Sequence, residues 1–317
     1  MPYPKYKPLD KKKLKTVSIK GRDSLVHLAD FPKPYLPDAD FRAFIDSMPP
    51  FLAARDLREL IDLLGQARKK GKPIIWGMGA HGVKLGLGPL LIDLMQRGWI
   101  SAIATNGATM IHDFEIALAG HTSEDVGENL LQGRYGNTEE TGLFLNLALK
   151  EGLAKNMGAG EAVGYYLIQA KLPFLEQSIL FNAYKLNIPV TIHSAIGADF
   201  IHYHPMFSGE VTGALAERDF QLLASIVSDL GHGGVFLNIG SAVIIPEVFL
   251  KAVAYCAAQG IALEKFHTAV FDFNRHYRPL ENVCRRPVAR GGKGFYFVGP
   301  HEIMIPLLAA MILTRHT

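Results

Sequence analysis

The sequence is poor in cysteine: Cys256 and Cys284 are the only two among 317 residues. They lie far apart, and neither has a second cysteine at CxxC spacing, so the sequence indicates neither a disulfide framework nor a thiolate zinc site. An uninterrupted apolar run of about 18 residues is also lacking, as is an N-terminal apolar core of the signal-peptide type. These absences predict a soluble chain that is not exported, does not enter a membrane and resides in a reducing cytoplasm.

A strong excess of either charge is lacking too. The chain has 33 basic and 30 acidic residues, a formal net charge of +3. The basic residues concentrate at residues 5–15 and at Arg285 and Arg286 instead of along one helical face, so no nucleic-acid partner is indicated. With 49% hydrophobic residues, the composition is that of a globular protein with a sizeable core. We expect a basic N-terminal extension over residues 1–35 and a single α/β domain over residues 36–317.

Apolar periodicity alternates along the chain between helix and strand. A helix is predicted over residues 56–70, and a short buried strand follows at 73–77. Further helices are predicted at 90–96 and 110–118, and further strands at 102–105, 190–193, 235–239 and 269–273. This alternation predicts an α/β fold in which a parallel, Rossmann-like sheet has helices on both faces. Residues 139–187 show no convincing strand and are expected to form a helical layer or an insertion.

Ligand sites of open parallel sheets form beyond the carboxyl ends of the strands, so the residues after each predicted strand are the main candidates. The first such turn runs from Gly77 to Gly82 and includes Gly79, Ala80 and His81. Its backbone N–H groups could approach a phosphate at the start of a helix. The turn is not a complete GxGxxG motif, because its third glycine falls early.

The second such turn contains Thr105, Asn106 and Gly107, and small residues there open a helix that carries His112 and Asp113 in its first turns. An acidic residue near a helix N-terminus interacts favourably with the helix dipole. Asp113 is therefore either a structural cap or a functional group.

The third turn concentrates three histidines and an aspartate between residues 193 and 204. His202 and His204 would share one face of an extended segment, which is a plausible geometry for metal ligands. A third ligand would be Asp199 or His112. One hypothesis is therefore a metal-dependent hydrolase that uses His193, Asp199, His202 and His204 with a bound water as nucleophile.

Near the C-terminus, Lys293 stands between two glycines and precedes the apolar run 295–298. A lysine held by glycines just ahead of a buried strand can be desolvated, which favours the neutral amine and allows imine formation. The alternative is a solvated loop lysine.

These segments, in this order, resemble the deoxyhypusine synthase family. Residues 105–108 with Asp113 are similar to the Thr-Ala-Gly-Gly turn and acidic residues that hold NAD in that family. Residues 197–204 are similar to its Gly-Asp segment, and Asp199 falls on the aspartate that contacts the polyamine. Gly292-Lys293 and residues 305–308 are similar to the Trp-Gly-Lys and Phe-Pro-Leu-Leu landmarks around the catalytic lysine. The similarity extends loosely from residue 72 to residue 312.

The resemblance implies an NAD-dependent transferase that moves an aminobutyl or other aminoalkyl group from a polyamine, through an imine on Lys293, to an amine acceptor. Asp199 would anchor the small-molecule amine, and His112, His202 or His204 would shuttle protons. The residues expected to contact NAD are Gly77, Gly79, Ala80, His81, Thr105, Asn106, Gly107, Asp113, Ser194 and Gly240. A homotetramer with sites between subunits is also implied.

The chain departs from this family mainly where the substrate would bind. Gly291 stands in place of the tryptophan, residues 238–245 replace the histidine-bearing glycine loop, and Ser194 replaces a second aspartate. Four arginines replace acidic residues that precede the lysine: Arg275, Arg278, Arg285 and Arg286. Such a loop would repel a polyamine and favours an anionic substrate or cofactor phosphates. A different amine acceptor and a non-catalytic nucleotide-binding protein therefore stay open as alternatives.

Overall fold

The computed structural model describes residues 5–316 and has one sheet of six strands. The strands are β1 Ile74–Met78, β2 Ala102–Asn106, β3 Val190–His193, β4 Val235–Ile239, β5 His267–Asp272 and β6 Lys293–Val298. They lie in the order β3-β2-β1-β4-β5-β6, and every neighbouring pair is parallel. The predicted parallel α/β fold is confirmed.

Helices connect the strands and cover both faces of the sheet. They are α1 Phe41–Ser47, α2 Leu52–Lys69, α3 His81–Lys84, α4 Gly88–Gln96, α5 Gly107–Ala119, α6 Val126–Leu131, α7 Glu139–Ala154, α8 Ala159–Gln169, α9 Ile179–Lys185, α10 Gly209–Ser228, α11 Ile244–Ala258, α12 Tyr277–Pro279 and α13 His301–His316. A π-helix over Leu280–Arg285 continues α12, and 3-10 turns occur at Lys11–Lys13, Ile19–Gly21, Leu28–Asp30, Leu175–Gln177 and Phe200–Tyr203. None of the helices within residues 5–316 is both long and apolar enough to cross a membrane.

Alternate side chains of each strand enter two hydrophobic cores, one on each face of the sheet. In β1, Ile74, Trp76 and Met78 belong to one core, and Ile75 belongs to the other. This alternation follows from the period of two residues in a strand. Between residues 5 and 40 no side chain is buried. That segment includes most of the predicted extension; residues 1–4 lie outside the described part of the chain.

The stretch between β2 and β3 forms the expected helical layer. Helices α7, α8 and α9 lie there, and residues 139–187 contain no strand. Asp219 of α10 ties this layer to the edge of the sheet, because its carboxylate accepts the backbone N–H of Gly160 at 3.1 Å and of Ile192 in β3 at 2.7 Å. This arrangement leaves the carboxyl ends of β2 and β3 open between α5, α7 and the segment that follows β3.

Candidate active site

A cavity of about 650 Å³ lies beyond the carboxyl ends of β2 and β3. Its walls come from α3, α5, the 121–126 segment, α7 and the connection that follows β3. Side chains capable of chemistry line it: Lys84, His112, Glu115, Thr122, Glu140, Asp199 and Tyr203. This volume is typical of a site for a small molecule. The structure thus brings together His112 and Asp199, two of the residues predicted from the sequence.

Asp199 is the most unusual group in this cavity. Its carboxylate packs against Gly107, the first residue of α5. The Oδ2 atom is buried and has no hydrogen-bond partner within residues 5–316. Burial raises the pKa of Asp199 to about 6, although a hydrogen bond with the Ala195 backbone opposes this shift. An unpaired buried carboxylate is costly unless a ligand supplies a donor or a positive charge.

His202 lies behind Asp199. Its Nδ1 accepts the backbone N–H of Gly197 at 3.2 Å, so the neutral ring carries its proton on Nε2. That nitrogen is 4.0 Å from Oδ2 of Asp199, too far for a hydrogen bond. Burial lowers the pKa of His202, which favours the neutral ring. His202 therefore packs behind Asp199 and serves neither as a hydrogen-bond partner of its carboxylate nor as a metal ligand.

His112 on α5 is linked to two other side chains of the cavity wall. Its Nδ1 lies 2.6 Å from the Thr122 hydroxyl, and that hydroxyl donates to Glu115. Thr141 of α7 also donates to Glu115, at 3.2 Å. Burial alone would raise the pKa of Glu115, but the nearby His112 and the hydrogen bond from Thr122 outweigh it, and the net pKa is lowered. The glutamate is therefore ionised beside His112.

The metal-site hypothesis is wrong. Phe200–Tyr203 is a 3-10 helix, so His202 and His204 do not share the face that an extended segment would give them. His204 accepts the N–H of Met206 at 3.1 Å. His193 is buried beside Thr191 at 3.0 Å. Across the described residues, no three His, Cys, Asp or Glu side chains are grouped so that they could hold a metal ion.

Two glycine turns meet at the centre of the sheet. Gly79 follows β1 and Gly240 follows β4; a Cβ on Gly79 would lie 2.7 Å from the Gly240 carbonyl oxygen. Beside them, Asn238 Oδ1 and His301 Nδ1 are buried polar atoms without a partner within the described chain. In this strand order the connections diverge between β1 and β4, which is where dinucleotides bind in such sheets. The glycine turns and the two unsatisfied polar atoms fit that use. Ala80 and His81 directly follow Gly79 and stay predicted cofactor contacts.

Several predicted cofactor residues instead have structural roles. Gly77 lies inside β1, where a Cβ would be 2.6 Å from side-chain atoms of Ile245 and Phe236, so it is a packing glycine. The Thr105 hydroxyl is buried and donates to the Met78 carbonyl at 2.9 Å. Asn106 caps α5, because its side-chain oxygen accepts from the backbone N–H of Thr109 at 3.1 Å.

Asp113, also predicted as a cofactor contact, caps another helix in the structure. Its carboxylate accepts from the Ser178 hydroxyl at 2.5 Å and from the backbone N–H groups of Ile179 and Leu180. Ser178 precedes α9, and Ile179 and Leu180 are its first two residues. Asp113 therefore accepts from backbone N–H groups that have no partner within that helix. Burial raises the pKa of Asp113 to about 6. The half-buried Ser194 directly follows β3 and stays a predicted cofactor contact.

Lys293 is not the desolvated loop lysine that the flanking glycines indicate. It is the first residue of β6 and pairs with His267, the first residue of β5. It therefore lies at the amino-end edge of the sheet, opposite the cavity of its own chain. Its side chain is 56% exposed and forms an ion pair with Glu59 of α2.

The arginine-rich segment after β5 is engaged in local contacts. Arg278 pairs with Glu247 at 3.1 Å, and Arg285 pairs with Glu281 at 2.6 Å. Arg286 donates to Asn282 at 2.8 Å. None of the four arginines lines the cavity around Asp199. The four arginines therefore do not directly repel a polyamine in the cavity of their own chain, contrary to the expectation from their sequence position.

Sequence reasoning missed Lys84, Glu115 and Thr122. Glu115 could have been found, because it lies three residues after His112 on a predicted helix and such pairs are neighbours on one face. Lys84 and Thr122 belong to no motif, and only the tertiary structure places them on the cavity.

No protein-family model matches the sequence, and no curated protein is significantly similar to it. Among solved structures, a protein from Entamoeba histolytica described as a candidate deoxyhypusine synthase has a TM-score of 0.54 at 11% identity, covering 87% of this chain and 94% of that one. A conserved protein from Methanococcus maripaludis S2, described as a candidate LOR/SDH protein, has a TM-score of 0.50 at 17% identity, covering 88% and 72%. At these identities the likeness shows the fold alone.

A ternary complex of AgrE with ornithine and NAD+ has a TM-score of 0.50 at 11% identity. The match covers 85% of this chain but 34% of the AgrE chain. The chain therefore spans about a third of AgrE, and this likeness also shows the fold alone.

Proposed function

We propose that the chain is an NAD-dependent enzyme that binds a small cationic amine in the cavity and transfers an aminoalkyl group from it to an amine acceptor. The observation that carries this proposal is the Asp199 carboxylate, buried on the cavity wall with its Oδ2 unpaired within the described residues. An ammonium or protonated secondary amine supplies both the charge and the N–H donors that such a carboxylate requires.

The cofactor assignment is supported by the central glycine turns and by the fold. Gly79 and Gly240 end two strands at the point where the connections diverge, and Asn238 and His301 would offer a dinucleotide polar atoms. Structures of the same fold include one solved with ornithine and NAD+ and one described as a candidate deoxyhypusine synthase. When bound, NAD would supply the hydride acceptor that this chemistry needs.

An imine-forming lysine must reach the amine, and Lys84 replaces Lys293 in that role. Lys84 ends α3 on the cavity wall, and no salt bridge joins it to a carboxylate in the described part of the chain. Loss of a hydride and a proton from the donor gives a carbon–nitrogen double bond. The Lys84 amine would add to that carbon and expel the remaining amine. The acceptor amine would then displace the lysine, and return of the hydride would complete the transfer.

Borohydride trapping tests this proposal. The wild-type protein is incubated with NAD+ and spermidine or putrescine, treated with borohydride, and digested for mass spectrometry. We expect an amine-derived adduct on Lys84 in the wild type and in Lys293→Ala, and none in Lys84→Ala or Asp199→Asn. An adduct on Lys293 would contradict the assignment of the lysine. Absence of both adduct and product from all proteins would contradict the transfer reaction.

A further inference from the structure

Hydrogen bonds link Glu115, Thr122 and His112 in a row, the relay. This relay fixes which ring nitrogen of His112 carries the proton in the neutral ring. The Thr122 hydroxyl has one proton, which it donates to the Glu115 carboxylate. Its lone pairs must therefore accept from His112, whose Nδ1 lies 2.6 Å away, and Nδ1 carries the ring proton. The neutral His112 then has its lone pair on Nε2, where it can accept a proton.

Glu115 is built to stay negative at the far end of this chain. It accepts from Thr122 and from Thr141, and its Oε2 is 3.5 Å from Nδ1 of His112. Both side chains of the pair are largely buried, with 15% of His112 and 14% of Glu115 exposed. An ionised carboxylate can only accept hydrogen bonds, so Glu115 keeps the Thr122 hydroxyl proton directed towards itself.

We propose that His112 is the general base that takes the proton from the bound amine, and that Thr122 and Glu115 are positioning residues that fix its tautomer. The inference rests on the proposed function. The proton would pass from the substrate nitrogen to Nε2 of His112, and the lone pair freed by this step would form the carbon–nitrogen double bond. NAD, when bound, would supply the acceptor for the hydride that leaves the carbon. The proton returns to the amine that is expelled. His202 does not compete for this role, since its Nε2 carries a proton in the neutral ring.

The electrostatic surroundings of His112 come from every wall of the cavity. The other ionisable side chains that line it are Lys84 on α3, His121 and Glu124 after α5, Tyr135 before α7, Glu140 on α7, and Asp199 and Tyr203 after β3. Glu124 is held by the backbone N–H of Gly136 at 2.7 Å. Among these side chains the carboxylates of Glu124, Glu140 and Asp199 outnumber the single lysine.

Nitrogen NMR of the histidine rings tests the tautomer without any turnover. In the free wild-type protein near neutral pH we expect His112 to be protonated on Nδ1. In Thr122→Val, which has nearly the same shape but no hydroxyl, we expect that preference to be lost. Thr122→Ser keeps the hydroxyl and should restore it. An Nε2-protonated His112 in the wild type would overturn the relay.

The pH profile of turnover tests the role of the base. Thr122→Val and His112→Gln should each lower kcat by about 10²-fold or more, with little change in amine affinity, and Thr122→Val should displace the acidic limb of the profile. Thr122→Ser should recover most of the activity. Thr314→Val is the matched control, since Thr314 lies on α13 and does not line the cavity.

The proposal would be overturned if Thr122→Val kept both the turnover and the pH profile of the wild type. The wild type could form no product from any amine while His112 keeps its proton on Nδ1. That result would contradict both the transfer reaction and the role of His112 as a base, but it would confirm the hydrogen bonds of the relay. These outcomes separate failure of the relay from failure of the proposed function.

Discussion

The carboxylate of Asp199 occupies the space beside the Cα of Gly107, where a side chain would otherwise project. Gly107 is the first residue of α5, so the carboxylate also lies at the positive end of a 13-residue helix. A residue after β3 and a residue after β2 are thereby fixed against each other. This contact holds the unpaired carboxylate on the cavity wall.

Gly107→Ala is predicted to disturb this contact. A Cβ at this position would collide with the Asp199 carboxylate, so the variant should melt at a lower temperature and bind the amine more weakly. Replacement of glycine by alanine within a helix normally stabilises it by about 1 kcal/mol. The matched control is Gly213→Ala in α10, where a Cβ would meet nothing within 4 Å. Equal melting temperatures and amine affinities for the two variants would contradict the account.

Asp219 is predicted to make the stability of the protein depend on pH. Burial raises the pKa of Asp219 from 3.8 to about 7. A carboxyl with a raised pKa in the folded state contributes its full stability below its unfolded pKa, and that contribution is lost as the pH rises through about 7. The free energy of unfolding should therefore fall between about pH 4 and pH 7.

Asp219→Asn tests this prediction by thermal melts across the same pH range. Both backbone N–H groups bond to Oδ2 of Asp219, so an asparagine can keep them on its carbonyl oxygen. The variant should show a flatter dependence of melting temperature on pH, and it should be more stable than the wild type at the alkaline end. Parallel curves for the two proteins would show that Asp219 does not titrate in this range.

Lys293→Ala is predicted to leave turnover and NAD affinity unchanged, because the lysine lies at the edge of the sheet opposite the cavity. Its exposed ion pair with Glu59 should contribute no more than about 1 kcal/mol to stability. A double-mutant cycle with Glu59→Gln, followed by denaturant unfolding, measures that coupling. Loss of turnover in Lys293→Ala would instead place this lysine in the site of a neighbouring subunit. Light scattering of the purified protein tests the predicted homotetramer.

The parallel sheet could be predicted from the sequence because its strands are short apolar runs bounded by turns. The predicted bounds of β3 and β4 match the structure to the residue. Parallel strands also place their carboxyl ends at one edge, which is why His112 and Asp199 meet at one cavity. These two residues lie after different strands, and the strand direction alone brings them together.

The roles of other polar residues could not be read from local sequence. Asp113 caps α9 and bonds to Ser178, the residue before that helix and 65 positions later in the chain. The sequence shows no sign of that pairing. Lys293 is a different case: glycines on both sides favoured a loop, yet it is the first residue of a strand. Residues that open a parallel strand lie at the edge opposite its carboxyl end. Lys293 therefore lies at the edge of the sheet opposite the cavity, while Lys84, which follows β1, lies on the cavity wall.

Calorimetric titration with putrescine in the presence of NAD+ measures whether ionised Asp199 binds a cationic amine. Burial raises the pKa of Asp199 to about 6, so affinity should increase as the pH rises through about 6 and should be much weaker at about pH 5 than at about pH 8. Asp199→Asn should bind at least about tenfold more weakly at the higher pH and lose that pH dependence. Equal affinity of the wild type and Asp199→Asn at both pH values would contradict the account.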